Sequence, residues 1–422
     1  MFEACDTHPP VQREALWKHR GVKEKKGGLP GAVKALLRPL RNGYYRGFGR
    51  LRYACTGKKQ ILLYVNNHAM TAHIRRYAEP LLENRQYSFF LCYPDFPREE
   101  DPANEFQQFV WKHNIPLVQH PERHAWDLIV CADMRTPASF TRYMTPILYV
   151  NHGLHIISMD GGETLYCYGE YARGEDGKPK FSAMCEANTS IAEEMKKEDP
   201  EMAKVIRHTG YKFYRDVELA LGKREQYRRL LGVSPDVCLV GLFGSWREHS
   251  LFHALGEGIF DACQECRGAG YQFLFSIHPN EYSVYDEAIT PMGERVEAQR
   301  ERGMLVRSPK EDFAPYMAAC DIVISDFSSM AENAMLMGRK LAFSPYPEGM
   351  VWKHSLTAEA RRLLPTMETP AGLKELLDSL RSAPADTFIA AGRAQLICSE
   401  HDERMAALTR ELLGLEKGVR RL

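Results

Sequence analysis

ACDIVISDFSSMAENAMLMGRKLAFSPYP, residues Ala319 to Pro347, sets a short strand pattern, Asp321 to Ile324, against a helical pattern opening at Ser328, with a polar turn at the junction. A second strand pattern, Lys340 to Phe343, follows Gly338. Short apolar runs alternating with helical segments predict a parallel α/β sheet. The turn also suits an anion. The first four N–H groups of a helix lack intrahelical partners, and the aligned peptide dipoles add about half a positive charge there, so a phosphate sits well at that end. Ser328 and Ser329 add hydroxyl donors; the plainer alternative is that Ser328 caps its helix.

The pattern recurs upstream. Val237 to Phe243 ends in Gly244-Ser245-Trp246-Arg247 and precedes an amphipathic stretch, Leu251 to Cys266. Tyr271 to Ile277 ends in His278-Pro279-Asn280 and precedes a charged helical segment from about Tyr282 to Arg302. Three strands thus deliver Arg247, His278 and the group Asp326, Ser328 and Ser329 at their C-terminal ends, where open parallel sheets bind ligands. Singly, Arg247 reads as a surface charge, His278 as a cap before proline and Ser328 as an N-cap. Jointly they predict a phosphate-bearing ligand.

At 422 residues the chain suits two domains. Before the segment just described, Gln60 to Val65, Tyr87 to Tyr93, Asp127 to Ala132, Pro146 to Val150, Ala183 to Ala187 and Lys204 to His208 read as strands, with helices at Met70 to Asn84 and Ser190 to Lys197. His68 and His152 fall on loops at strand ends. The expected division is a basic arm at 1–59, an N-terminal Rossmann-like domain at 60–215, a C-terminal Rossmann-like nucleotide-binding domain at 216–384, and helices at 385–422 that cross back. Two Rossmann-like domains facing a cleft describe the GT-B architecture of nucleotide-dependent transferases.

The formal net charge of zero conceals an asymmetry. From Lys18 to Lys59 there are thirteen Lys or Arg and one acid, Glu24, which leaves 42 basic against 54 acidic residues elsewhere. Within the arm, Leu36, Leu37, Leu40, Tyr44, Tyr45 and Phe48 interleave with Lys34, Arg38, Arg41, Arg46, Arg50 and Arg52. That mixture suits an anionic membrane surface, where each basic residue adds about 1 kcal/mol. Nucleic acid is disfavoured as the partner because no nucleic-acid-binding motif accompanies the arm. No uncharged run reaches the roughly 18 residues of a membrane span, and the N-terminus lacks the pattern of a secretory signal. Eleven scattered cysteines fit reduced thiols, and Cys263 and Cys266 read as helix residues rather than metal ligands. The expected location is cytoplasmic, peripheral on the inner face of the cell membrane.

Gly244-Ser245-Trp246-Arg247, His278-Pro279, Ser325-Asp326-Phe327-Ser328-Ser329 and Phe343-Ser344-Pro345-Tyr346, in this order, resemble the signature of the CDP-glycerol glycerophosphotransferase family, which includes teichoic acid and capsule polymerases. Asn151-His152-Gly153 resembles its first-domain tryptophan-His-Gly motif, and Thr209-Gly210-Tyr211 its glycine-tyrosine-proline turn. The resemblance spans roughly Pro146 to Tyr346. It implies a GT-B fold that transfers an alditol phosphate from a CDP-alditol to a hydroxyl of a lipid-linked polymer acceptor, with no cofactor. It further implies substrate contacts from Trp246, Arg247, Pro279, Asp326, Ser328 and Ser329, with either Glu332 or Asn333 at the nucleotide ribose. Leu154-His155-Ile156, Lys212 and Arg339-Lys340 depart from the family pattern, which leaves room for another CDP-alditol or another nucleotide-activated group.

Such a transfer needs a base for the alcohol and donors for the diphosphate. His152 is the expected base, because imidazole titrates near working pH, and His278, beside the phosphates, the second expected catalytic group, which hydrogen-bonds or protonates the leaving oxygen. Arg247 offers a fork of donors. No carboxylate cluster points to a metal. Two alternatives remain: a UDP-sugar glycosyltransferase or sugar-nucleotide 2-epimerase of the same architecture, and a catalytically silent nucleotide-binding module that recruits polymer machinery through its basic arm.

Overall fold

The computed structural model describes residues 47–66, 70–97, 99, 101, 104–134, 145–151, 172–174, 176–187, 189–211, 213–246, 248–282, 289–309, 311–384, 386–396 and 399–415. Residues 1–46 of the basic arm, together with His68, His152, Lys212 and Arg247, lie outside the described residues.

Two parallel sheets follow each other along the chain. The first holds β1 (Lys59–Tyr64), β2 (Tyr87–Cys92), β3 (Leu128–Cys131), β4 (Ile147–Tyr149), β5 (Ala183–Glu186) and β6 (Ile206–His208) in the order β2-β1-β3-β4-β5-β6. The second holds β7 (Cys238–Phe243), β8 (Tyr271–Ser276), β9 (Leu305–Val306), β10 (Ile322–Ser325) and β11 (Lys340–Phe343) in the order β11-β10-β7-β8-β9. The chain lays β7, β8 and β9 outward in one direction and then returns to place β10 on the other side of β7. The strand order therefore reverses between β7 and β10, the position at which open α/β sheets leave a crevice for ligands.

Burial on both faces explains the near-continuous apolar strands. All six residues of β7 are buried, and alternate positions feed opposite cores. Leu239, Val323 and Leu341 face one cluster, while Val240, Leu242, Ile322 and Ile324 face the other. Ile61 and Leu63 part from Leu62 in the same way in the first sheet, as the two-residue period of a strand requires.

The chain's later part packs back on the first sheet. Trp352, fully buried, joins Leu62, Ile129, Tyr149 and Met184, while Met405, Leu408 and Leu412 of the helix His401–Leu412 join Ile74, Leu91 and Leu148. The Tyr77 hydroxyl lies 3.1 Å from Thr409 Oγ1. At the start of the described chain residues 47–56 are helical, and Arg52 Nη2 donates to Asp127 Oδ2 at 2.5 Å. No helix among the described residues is long and apolar enough to cross a membrane.

Several elements differ from expectation for local reasons. The stretch Leu251 to Cys266 forms two helices, Leu251–Leu255 and Gly258–Arg267, because Gly256 takes φ +62° and ends the first. Where one helix from Tyr282 to Arg302 is expected, a 3₁₀ turn, Pro279–Tyr282, and a helix, Pro291–Ala298, stand instead, the latter capped by Thr290. Strand β9 is not expected from the sequence at all. The helix Thr71–Ala78 passes into a 3₁₀ turn at Glu79–Leu81, where Pro80 lacks the N–H that would continue it.

Candidate active site

Asp326 sits at the end of β10 with no exposed surface. Its Oδ2 accepts the backbone N–H of Ser245 at 2.6 Å and of Leu251 at 2.9 Å, and its Oδ1 accepts that of Ser328 at 2.9 Å. One carboxylate thus ties the loop after β7 and the start of the next helix to the turn after β10. Burial raises its pKa, while these bonds act in the opposite direction. Gly244 lets the loop pass, because a Cβ there would lie 2.8 Å from the Phe252 ring. The resemblance placed Asp326 among the substrate contacts; with its oxygens engaged by three backbone donors, its contribution is to shape the turn.

Ser328 and Ser329 are half-buried beside it. The helix begins at Met330, later than the sequence pattern suggests, and Ser329 at its N-cap position makes no capping side-chain bond. The Ser328 hydroxyl lies 3.4 Å from both the Ser325 hydroxyl and the Met330 N–H, at the long end of hydrogen-bond geometry. Ser328 is therefore a weak cap at most.

Trp246, on the β7 loop, stacks on His278, on the β8 loop, with ring centroids 6.0 Å apart and planes 22° from parallel. His278 Nδ1 accepts the Asn280 N–H at 3.1 Å, so in the neutral ring the proton resides on Nε2. Burial, helped by the positive charge of Arg307, pushes the imidazole down from 6.5 to about 4. Near neutral pH His278 is accordingly an uncharged N–H donor rather than a stored proton. Pro279 opens the 3₁₀ turn that carries Glu281, whose buried carboxylate accepts His253 Nε2 at 2.9 Å and the Thr290 hydroxyl.

Glu332 and Asn333, the two candidates for the ribose, are 2% and 1% exposed. Asn333 Oδ1 accepts the Tyr211 hydroxyl at 2.7 Å and its Nδ2 donates to Ser329 O at 2.8 Å. Glu332 Oε1 accepts the Thr357 hydroxyl at 3.1 Å, and burial lifts its carboxyl to about 7. Both side chains are thus engaged inside the protein. Tyr211 follows β6, so its bond to Asn333 links the C-terminal edges of the two sheets.

Beside that bond a small cavity of about 20 Å³ is lined by Asn151, Glu186, Thr209, Tyr211 and His401, room for about one water. Asn151, two residues past β4, takes φ 42° and donates to Glu186 Oε2 at 3.4 Å. Among the described residues, no group of three or more His, Cys, Asp or Glu is placed to hold a metal ion.

Sequence reasoning missed Arg307, one residue past β9 and 7% exposed. The signal was the apolar Met304-Leu305-Val306 after Gly303, but two strand residues are too few to stand out.

No protein-family profile matches the sequence, and no curated protein matches it. Solved structures do. The wall teichoic acid polymerase TagF is 14% identical over 92% of this chain and 99% of its own, with a TM-score of 0.55; a histidine variant of it soaked with CDPG gives 0.56. MnaA of S. aureus with UDP, 11% identical, covers 86% of this chain and 99% of its own at 0.55. HepE of Anabaena, in complex with UDP and glucose, is 15% identical over 84% of this chain and 100% of its own at 0.50. At these identities the likeness is one of fold. The chain resembles TagF over about nine-tenths of its length, and its two parallel α/β sheets are the two Rossmann-like halves of a GT-B fold.

Proposed function

We propose that the protein transfers an alditol phosphate from a CDP-alditol to a hydroxyl of a membrane-linked cell-wall or capsular polymer. The observation that carries this reading is the group at the β7/β10 switch point: Trp246 stacked on a neutral, Nε2-protonated His278, with the half-buried Ser328 and Ser329 alongside, all framed by Asp326. Such a set offers neutral donors to a diphosphate. The likeness to TagF, solved also with CDPG, favours the cytidine donor.

In this mechanism the acceptor oxygen attacks the β-phosphorus while the bond to CMP breaks, and CMP departs with the electron pair. The proton of the acceptor passes to a base, the role assigned to His152, the residue after Asn151. His278 donates a hydrogen bond to a phosphate oxygen and strengthens it as charge builds on the leaving group. Arg247 contributes a permanent cation on the same loop as Trp246. The basic segment 18–59 holds the protein at an anionic membrane surface, where a lipid-linked acceptor resides.

A second reading, transfer or epimerisation of a UDP-sugar, is favoured by the likeness to the UDP-bound MnaA and HepE. Calorimetric titration with CMP, CDP-glycerol, UDP and UDP-N-acetylglucosamine separates the two: preference for the uridine ligands rejects the first. Single-turnover transfer then tests the residues. His152→Ala is expected to abolish transfer with donor affinity unchanged, and His278→Ala to lower both. Near-wild-type transfer by His152→Ala refutes its role as base.

A further inference from the structure

Two arginines are buried among the described residues, and they differ in company. Arg228, 4% exposed, pairs with Asp321 Oδ2 at 2.9 Å. Arg307, 7% exposed, donates from Nε to Ser276 Oγ at 2.8 Å and from Nη1 to the carbonyl oxygens of Ser308 at 3.0 Å and Glu311 at 2.5 Å. Among the described residues no carboxylate lies within ion-pair distance of Arg307 and Nη2 has no acceptor. The acids around it are committed elsewhere: Glu281 to His253 and Thr290, the Glu311 carboxylate to the Ser308 N–H, Asp312 to the Ala314 N–H. The Tyr282 hydroxyl donates to Glu297.

A guanidinium cannot shed its proton to escape burial, and an unpaired buried charge is strongly unfavourable. Burial indeed weighs against the charged form here. The charges of Asp312 and Glu311 offset burial only in part and neither carboxylate pairs with the guanidinium, which leaves room for an anion from outside. The location says which kind. Arg307 follows β9 at the C-terminal edge of the sheet, bonded to Ser276, two residues before His278, and its charge acts on the His278 ring.

We infer that Arg307 is a ligand-binding residue of the donor site, whose guanidinium, together with the Nε2–H of His278, receives a diphosphate oxygen. The inference deepens the proposed function and rests on its reading of a nucleoside diphosphate donor. Arg307 supplies the lasting positive charge that the neutral His278 lacks. It takes no proton and forms no bond to the substrate. Its N–H donors stabilise the negative charge that CMP carries away as the leaving group departs.

The test titrates inorganic pyrophosphate and CMP into the full chain as wild type, Arg307→Lys and Arg307→Gln, with melting temperatures recorded alongside. Arg307→Gln is expected to weaken pyrophosphate at least tenfold, and Arg307→Lys less, because it keeps the charge and loses the fork. A folded Arg307→Gln that binds pyrophosphate as the wild type does, or a wild type that does not bind it, overturns the inference. Should Arg307→Gln not fold, the wild type labelled with ¹⁵N-arginine decides. Pyrophosphate must move the Nε–H resonance of Arg307, identified by its absence from the Arg307→Lys spectrum, and an unmoved resonance overturns the inference. Arg307-dependent pyrophosphate binding without any transfer from CDP-glycerol or CDP-ribitol rejects the proposed function and leaves Arg307 standing; transfer with Arg307-independent pyrophosphate binding does the reverse.

Discussion

Replacing Glu332 by glutamine isolates the titration of one buried carboxyl. Glu332 is 2% exposed, and burial, with the Glu186 charge adding to it, lifts its pKa from 4.5 to about 7. Between those values the native state holds a proton that the unfolded chain has released, so stability falls as pH rises from about 4.5 to 7 and is level above. At 1.36 kcal/mol per unit the fall amounts to about 3 kcal/mol. His278 runs the other way. Its pKa is pushed down from 6.5 to about 4, so the unfolded chain holds the extra proton and stability rises with pH across that window by a similar amount. The two contributions nearly cancel in the wild type, which hides both.

Glu332→Gln keeps an amide oxygen for the Thr357 hydroxyl and carries no charge at any pH. It should match the wild type to within about 1 kcal/mol at pH 5 and exceed it by up to about 3 kcal/mol at pH 8. Its own curve should show the rise from His278 uncovered. Urea unfolding at fixed ionic strength, repeated from pH 4.5 to 8, reads the difference through the midpoint at constant slope. Wild-type and variant curves that run parallel would refute the assignment of a neutral Glu332. The same variant tests the ribose contact: unchanged CMP affinity would remove Glu332 from the candidates for it.

Ser328→Ala with Ser329→Ala should weaken CMP by about 1–3 kcal/mol, at about 0.5–1.5 per hydroxyl; equal affinities would remove both serines from the site. Asp326→Ala strands three buried N–H donors at about 1–3 kcal/mol each, offset by the regained desolvation of a carboxylate, so a loss of about 3 kcal/mol or more is expected in chemical unfolding. Wild-type stability of that variant would contradict the latch role. Deletion of 1–46 spares the Arg52–Asp127 pair and β1, and should release the protein from anionic vesicles with nucleotide binding intact. The wild-type attraction should fade toward 1 M salt, where the screening length is about 3 Å, and vesicle binding that survives the deletion would remove the arm from the scheme.

The second sheet was legible because its strands are buried on both faces and write themselves as unbroken apolar runs, each ending in a polar turn. The partners of the turn residues were not legible. Asp326 reads as a ligand contact in one dimension, yet its carboxylate is held by Ser245 and Leu251, 81 and 75 positions away. Arg307 escaped for a related reason. A strand of two residues has no period to detect, and a buried cation without an ion pair among the described residues is a property of three dimensions. Asn333 and Glu332 stood at the expected place in the helix, but only the fold reveals that Tyr211 and Thr357 occupy their polar atoms.

These internal bonds form a chain between the two halves of the candidate site. Ser329, on the donor side, accepts Asn333 Nδ2 at its carbonyl; Asn333 accepts Tyr211 from the end of the first sheet. Glu332, one residue before Asn333, senses the charge of Glu186, and Glu186 in turn accepts Asn151, the residue before His152. Burial is the main cause of the raised Glu332 carboxyl, and the Glu186 charge adds to it. Glu332 is lifted to about 7, and the Thr357 hydroxyl bonds to it on the donor half. A neutral Glu332 does not repel Glu186, which accepts Asn151 two residues past β4. The Tyr211–Asn333–Ser329 bonds therefore tie the end of the first sheet to the turn that precedes the helix after β10.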